Sequence, residues 1–304
     1  MKSAIGQCIE LSLFGESHGE AIGVVIQGLP SGIRIDEAWM GKQMEKRKPK
    51  GKISTQRQEA DVPEIVSGVF EGRTTGTPLC ILIRNENMRS KDYSKTRYIP
   101  RPSHADYTAE IKYLGYQDYR GGGHFSGRLT APLVFAGALC KQYLKEQGIA
   151  VFAHLASVKD VHDAEFDLCS PDIALAEQVR KRELPVLEEA VIGPMKEAIL
   201  TAKQAGDSVG GVVECAVCGV PAGIGSPFFE SVESRLASML FSVPAVKGVE
   251  FGLGFAIATI NGSEANDPFI SEKGVIRTAT NNNGGINGGI TNGMPIVFRT
   301  AIRP

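Results

Sequence analysis

Glycine sets the tightest limit on this chain. It supplies 35 of the 304 residues, about 11–12% against an average near 7%. The glycines follow no repeat period, so a collagen-like fibre is excluded. Glycine serves where backbone must turn left-handed or approach another group closely. Here it gathers in three stretches: Gly15-Glu-Ser-His-Gly19, Gly121-Gly-Gly-His-Phe-Ser-Gly127 and Gly284-Gly-Ile-Asn-Gly-Gly-Ile-Thr-Asn-Gly293. Each is expected to be a tight turn with room for a ligand against its backbone. The remainder, 42% hydrophobic and 22% charged, is ordinary globular composition and excludes bulk disorder.

Net charge is −1, which removes the strongly basic signature of a nucleic-acid binder. The total hides an asymmetry: residues 1–130 hold 19 Lys/Arg against 15 Asp/Glu, and residues 131–304 hold 14 against 19. Two basic clusters lie in the first part. One runs from Lys42 through Arg47, Lys48 and Lys52 to Arg57, the other from Arg84 through Arg97 to Arg101. They fit solvated loops, a pocket for a polyanionic small molecule, or a nucleic-acid surface. The last ranks third because aromatics that could stack bases are sparse. No apolar run approaches the ~18 residues of a membrane span, and the N-terminus shows no signal-peptide core. Six dispersed cysteines suit a reducing, cytoplasmic setting. Cys215 and Cys218 have CxxC spacing but sit in a strand-like run. Residues three apart on a strand face opposite ways, so no metal site is expected.

Short β-like runs alternate with helical patterns. Ala21–Gln27 and Leu79–Arg84 are predicted as buried strands. Asp36 is predicted to cap a helix through Trp39, Met40 and Met44 that ends before Pro49. Further helices are predicted over about Thr130–Lys145, Glu188–Ala205 and from Ser226-Pro227 through Leu240. Residues 85–125 and 241–295 are weakest in periodicity, and long loops inside a compact domain are usually functional. The expected architecture is an α/β (α+β) single-domain sandwich over residues 1–304, with long functional loops and no marked internal boundary.

Three segments carry candidate chemistry. His18 lies between Ser17 and Gly19 ahead of an apolar strand, where glycines expose the imidazole. In Arg101-Pro-Ser-His-Ala-Asp-Tyr107, His104 can hydrogen-bond Asp106, which would fix its tautomer and keep it cationic longer. Tyr119-Arg-Gly-Gly-Gly-His-Phe-Ser-Gly-Arg128 precedes a helix, and glycine-loop N–H groups there can bind an anion, with Arg128 adding charge. The loop lacks the Gly-Lys-Ser/Thr of a Walker A motif, and no strand precedes it as a dinucleotide fingerprint requires. These residues point to an enzyme for an anionic, phosphorylated substrate with histidines as acid/base groups.

Taken together, the segments resemble the chorismate synthase family. The resemblance rests on Gly15-Glu-Ser-His-Gly19 with Ile26-Gln-Gly-Leu-Pro30, on Arg101-Pro-Ser-His-Ala-Asp-Tyr-Thr108, and on Tyr119-Arg-Gly-Gly-Gly123 through Ser126 and Arg128. Ser67-Gly-Val-Phe-Glu-Gly-Arg-Thr-Thr-Gly-Thr-Pro78, Val246-Lys-Gly-Val-Glu250 and the Gly-Gly-Ile repeat also match, in order along the chain. It implies a β-α-α-β sandwich assembled as a homotetramer. It also implies a lyase that eliminates phosphate from 5-enolpyruvylshikimate 3-phosphate to give chorismate, using reduced FMN without net redox change. On the matching positions, His18 would protonate the departing phosphate and His104 would supply a proton to the flavin. Arg47, Lys52, Arg101 and Arg128 would bind the substrate's anionic groups. FMN would lie along His124, Phe125, Ser126, Pro244, Ala245, Gly288, Arg303 and Pro304, with NADPH an external source of reducing power.

This sequence departs from the family pattern in places. His124 stands where many members carry arginine, making an anion contact there pH-dependent. Lys48 and Lys52 replace common arginines, at a cost in bidentate geometry. A further flavin-binding segment with an Arg-His-Asp-type motif is expected to follow Pro304. The competing readings are another FMN/NADPH-dependent oxidoreductase and a nucleic-acid module built on residues 42–57 and 84–101.

Overall fold

The computed structural model describes residues 3–49, 51, 53–54, 59–86 and 97–304. Its internal contacts group into two compact units, Met1–Tyr143 and Leu144–Pro304. The division falls inside a continuous helix, Thr130–Glu146, so no linker composition marks it in the sequence.

The first unit opens with strands β1 (Ala4–Gly6), β2 (Glu10–Gly15) and β3 (Ala21–Gln27), followed by helix α1 (Glu37–Arg47). Strand β4 (Pro63–Ser67), the two-residue pair β5 (Val69–Phe70) and β6 (Arg73–Thr74), and β7 (Leu79–Arg84) come next. Helices α2 (Asp106–Tyr113) and α3 (Thr130–Glu146) complete it. The main sheet has the order β1-β2-β3-β7-β4, with every pairing antiparallel. Ile22, Val24 and Ile26 stand opposite Ile83, Ile81 and Leu79. All six are fully buried, as period-2 alternation on one sheet face requires. Strands β3 and β7 fall on the predicted residues. Asp36 caps α1 by accepting a hydrogen bond from the Trp39 N–H at 2.9 Å. Trp39 Nε1 donates in turn to the Ala138 carbonyl of α3 at 3.0 Å.

The second unit begins with β8 (Ala150–Val158) and β9 (Val161–His162), then α4 (Ile173–Val179), α5 (Ile192–Gln204) and β10 (Gly211–Cys218). Helix α6 (Val232–Phe241), β11 (Val246–Phe251) and α7 (Gly262–Ala265) follow. The hairpins β12 (Phe269–Glu272)–β13 (Val275–Thr278) and β14 (Ile286–Asn287)–β15 (Ile290–Thr291) lead to β16 (Ile296–Ile302). Its sheet runs β11-β16-β10-β8-β9, again antiparallel. One face packs Phe152, Ala216 and Val297 against Phe166, Ala176, Val179 and Leu187. The other packs Ile296 and Phe298 against Val232, Leu236 and Leu240 of α6. Helix α6 starts later than the Ser226-Pro227 expectation. Phe228 takes a left-handed φ of 61°, and Ser231 is the residue whose hydroxyl caps the helix, accepting from Ser234 N. The weakly periodic region 241–295 is threaded with short strands too brief to show a period.

A row of charge crosses this second sheet. His154 on β8 stands opposite Glu214 on β10, Glu214 opposite Arg299 on β16, and Arg299 opposite Glu250 on β11. His154 lies 2.9 Å from Glu214 on one ring nitrogen and 2.9 Å from Asp163 on the other, all three side chains fully buried. Arg299 Nε donates to Glu250 at 2.7 Å. Glu214 also accepts from the Phe166 N–H at 2.8 Å. The opposed pairs specify register, because a slip of one residue would bury unpaired charge. Among the described residues the cysteines are free, and no helix is long and apolar enough to cross a membrane. Replacing one partner of a buried charge network strands the others, so Glu214→Ala is expected to destabilise the chain by about 3–5 kcal/mol. Urea unfolding measures this, and a loss below about 1 kcal/mol would contradict a structural role for the row.

Candidate active site

The glycine triplet and the two candidate histidines are one construction. Gly121, Gly122 and Gly123 have φ of 58°, 87° and 52°, a left-handed region that costs any other residue strain. A Cβ on Gly121 would stand 2.1 Å from His18 Cε1 and 2.9 Å from Ser17 Oγ. A Cβ on Gly122 would stand 2.9 Å from His104 Cε1 and 3.0 Å from its Nε2. On Gly123 it would meet the Asp118 carbonyl at 2.1 Å. Adjacent residues of one loop therefore each carry an imidazole against bare backbone.

The turn holding His18 is stitched to that loop. Ser17 N–H donates to the Gly123 carbonyl at 3.1 Å, and Ser17 Oγ reaches the Gly121 carbonyl at 3.2 Å and His18 Nδ1 at 3.0 Å. Asn85, at the end of β7, donates to the carbonyls of Glu16 and Gly19 at 2.9 and 2.8 Å. Its own amide oxygen accepts a short hydrogen bond from Arg128 Nε. Arg128 is buried and pairs with Asp61 at 2.6 Å, and Arg47 reaches the other oxygen of the same carboxylate, also at 2.6 Å. Burial lowers the Arg47 guanidinium from its ordinary value, an effect that Asp61 opposes. Arg128 pairs with Asp61 because a guanidinium taken out of water needs a counter-ion.

His104 stands at the start of α2. Its Nδ1 lies 2.7 Å from Asp106 Oδ1, the predicted contact. Arg101 grips the same carboxylate, with Nε to Oδ2 and Nη2 to Oδ1 both at 2.8 Å. That grip holds the Asp106 carboxyl well below the usual carboxylate range. Asp118 is held low in the same way by Arg120. A cavity of about 240 Å³ opens here, with Arg101, His104, Tyr119, Gly122 and Phe125 among its walls. Arg97 lies over the Tyr119 ring, 4.9 Å from its centroid.

The residues expected to hold flavin fall in both units. In the first, His124 Nδ1 donates to the Gly15 carbonyl at 2.9 Å and its Nε2 lies 3.0 Å from Ser3 Oγ. Both ring nitrogens are engaged within the protein, so His124 braces the loop. Phe125 packs edge-on against Tyr113, and Ser126 Oγ accepts from the Arg128 N–H. In the second unit, Ala245 takes a φ of 73° and its carbonyl accepts from the Arg303 N–H at 2.9 Å. Gly288 has a φ of 61° with open space where a Cβ would stand. Pro244 precedes Ala245, and Pro304 follows Arg303. Lys52 lies outside the described residues. Among those residues no cluster of His, Cys, Asp and Glu could hold a metal ion.

The family model for chorismate synthase matches residues 9–304. The chain belongs to the chorismate synthase family. A relative named chorismate synthase from Thermococcus kodakarensis is 48% identical over 300 residues, spanning 98% of this chain and 82% of its own. Another of that name, from Chitinophaga pinensis, is 47% identical, spanning 99% and 81%. A crystal structure of chorismate synthase superposes with a TM-score of 0.81 at 30% identity, covering 97% of this chain and 84% of the other. The chain is therefore a lyase acting on a phosphate ester, of a family that requires a reduced flavin, and neither competing reading is favoured.

No local sequence pattern points to Asn85 or Asp61. Neither sits in a motif, and only a carboxamide directly after a buried strand hints at the first.

Two outcomes follow from this geometry. Gly121→Ala should lose at least about 10²-fold in activity, since displacing a catalytic group by an ångström costs that much. Gly127→Ala, where a Cβ meets nothing within 4 Å, should leave activity near wild type, and equal losses in both would refute the packing argument. Carboxyls held below their unfolded values stabilise the fold above the ordinary carboxylate range, and that stability is lost as pH falls through the native values. Acid unfolding should therefore begin at higher pH in Arg101→Met and Arg120→Met, as read by circular dichroism.

Proposed function

We propose that this chain converts 5-enolpyruvylshikimate 3-phosphate to chorismate and phosphate by anti-1,4-elimination, with His18 and His104 as its proton-handling groups. The observation that carries the reading is the glycine triplet, against whose neighbouring residues Gly121 and Gly122 the two imidazoles lie. The phosphate C–O bond breaks with its electron pair leaving on phosphate, the ring C–H bond at the far end of the allylic system gives its electrons to the new double bond, and the proton lost there balances the one that phosphate takes up. His18, braced by Ser17, donates a proton to the departing phosphate. His104, at the wall of the cavity, holds the proton required on the cofactor side.

Arg101, beside that cavity, supplies charge for a carboxylate or the phosphate. Arg47, Lys52 and Arg128 are assigned to the same trianionic substrate. Arg47 and Arg128 share the Asp61 carboxylate, so their contribution is a rigid, partly neutralised clasp.

FMN is assigned to His124, Phe125 and Ser126 in the first unit and to Pro244, Ala245, Gly288, Arg303 and Pro304 in the second. Gly288 leaves bare backbone for a ligand group and Arg303 offers a cation to a phosphate. Reduced FMN, when bound, supplies transient electron density with no net redox change. NADPH serves as an external reductant of the flavin. The working form is a homotetramer in the cytoplasm, a reading supported by exposed aromatic side chains such as Phe228, Phe229 and Phe255 and by free thiols. Nucleic acid and membrane play no part in this reading.

The assay is chorismate formation under anaerobic conditions with chemically reduced FMN. Wild type should produce chorismate and phosphate in equal amounts, and no product would overturn the reading. His18→Ala and His104→Ala should each lose roughly 10²–10⁴-fold in rate, and an unchanged rate in either would remove that residue from the mechanism.

A further inference from the structure

Asp106 is the first residue of α2, and its carboxylate serves two side chains at once. We propose that Asp106 is a positioning residue that fixes His104 as the Nδ1–H tautomer, so that Nε2 is the atom that exchanges a proton. Arg101 is the group that keeps Asp106 in place for this. The inference rests on the reading of His104 as a proton donor and adds the partner that orients it.

Asp106 Oδ2 accepts from Arg101 N and Nε at 2.9 and 2.8 Å. Oδ1 accepts from Arg101 Nη2 at 2.8 Å and lies 2.7 Å from His104 Nδ1. An arginine only donates, and this fork keeps the carboxyl ionised, so Asp106 has no proton to give. The 2.7 Å contact is then a hydrogen bond only if Nδ1 carries the hydrogen. The 3.1 Å approach of Arg101 Nη2 to Nδ1 places two donors side by side, both served by Oδ1. In the neutral ring Nε2 is left with the lone pair, and it faces the bare backbone of Gly122. Glycine at 122 thus clears the nitrogen that Asp106 leaves for proton exchange.

The same donor arrangement predicts what an amide would do. In Asp106→Asn the single oxygen goes to the Oδ2 position, where two arginine N–H groups require an acceptor. The NH₂ then occupies the Oδ1 position and donates to Nδ1, which forces the Nε2–H tautomer. The Arg101 N and Nε contacts keep their acceptor while the Nη2 contact at Oδ1 is lost, and the ring is protonated on the wrong nitrogen.

The test is the nitrogen-15 spectrum of His104 in the full chain without cofactor, assigned with His104→Gln, alongside turnover. Wild type should show the neutral ring protonated on Nδ1, and Asp106→Asn should show it on Nε2. The kcat of Asp106→Asn should fall about 10²–10⁴-fold, with a much smaller change in KM. Asp106→Glu, which keeps a carboxylate, should retain the wild-type tautomer and recover part of kcat. A wild-type ring protonated on Nε2, or Asp106→Asn with unchanged kcat, overturns the proposal. Should Asp106→Asn fail to fold, the wild-type and Asp106→Glu spectra decide. The spectrum needs no flavin, so an Nδ1–H ring in a chain that makes no chorismate would count against the lyase reading alone.

Discussion

A loop with no side chains between two imidazoles is the constraint from which the rest of the first unit follows. Three successive left-handed residues are affordable only as glycine, and here a Cβ at 121 or 122 would also intrude on His18 or His104. Conformation and contact demand the same residue at the same place. Once the loop is bare, two rings on separate segments can rest on neighbouring peptide units, whose Cα atoms are about 3.8 Å apart. Proton-handling groups proposed for a substrate and the cofactor beside it need such closeness.

The loop cannot hold that shape alone, and the surrounding polar contacts explain why so much charge is buried nearby. Arg128 pairs with Asp61, hydrogen-bonds Asn85, and through Asn85 fixes the carbonyls on either side of His18. Arg47 closes the other side of Asp61. On the far side of the loop, Arg101 and Asp106 do the equivalent work for His104. Rigid hydrogen-bonded support of this kind keeps a site ready for its transition state. It also means that three of the basic residues suited to an anionic substrate, Arg47, Arg101 and Arg128, spend much of their charge on carboxylates of the protein. The excess of positive charge in residues 1–130 is partly structural.

How much of this was legible depended on whether the signal was local. The strands Ala21–Gln27 and Leu79–Arg84, the Asp36 cap and the long helix beginning at Thr130 all carry their own periodicity or capping residue, and each was found where expected. The His104–Asp106 contact was legible because the two residues are neighbours in sequence. Ser226-Pro227 offers a plausible start for α6 and Ser231 a better one, a choice made by the left-handed turn at Phe228. The support from Asn85 and Asp61 is non-local, linking positions more than 40 residues apart, and no pattern in one sequence reports such a contact. The charge row through His154, Glu214, Arg299 and Glu250 is hidden for the same reason: it exists only once strand order and register are set. The division at Tyr143/Leu144 leaves no trace because a helix runs through it.

The most direct measurement is a crystal structure of this chain with 5-enolpyruvylshikimate 3-phosphate and FMN bound. The expected result is a substrate phosphate oxygen within about 2.6–3.2 Å of the His18 ring, with His104 turned to the flavin and Gly121–Gly123 unchanged in conformation. A substrate bound away from the glycine loop, with neither histidine in hydrogen-bond reach of substrate or flavin, would contradict the central claim that this loop assembles the reactive centre.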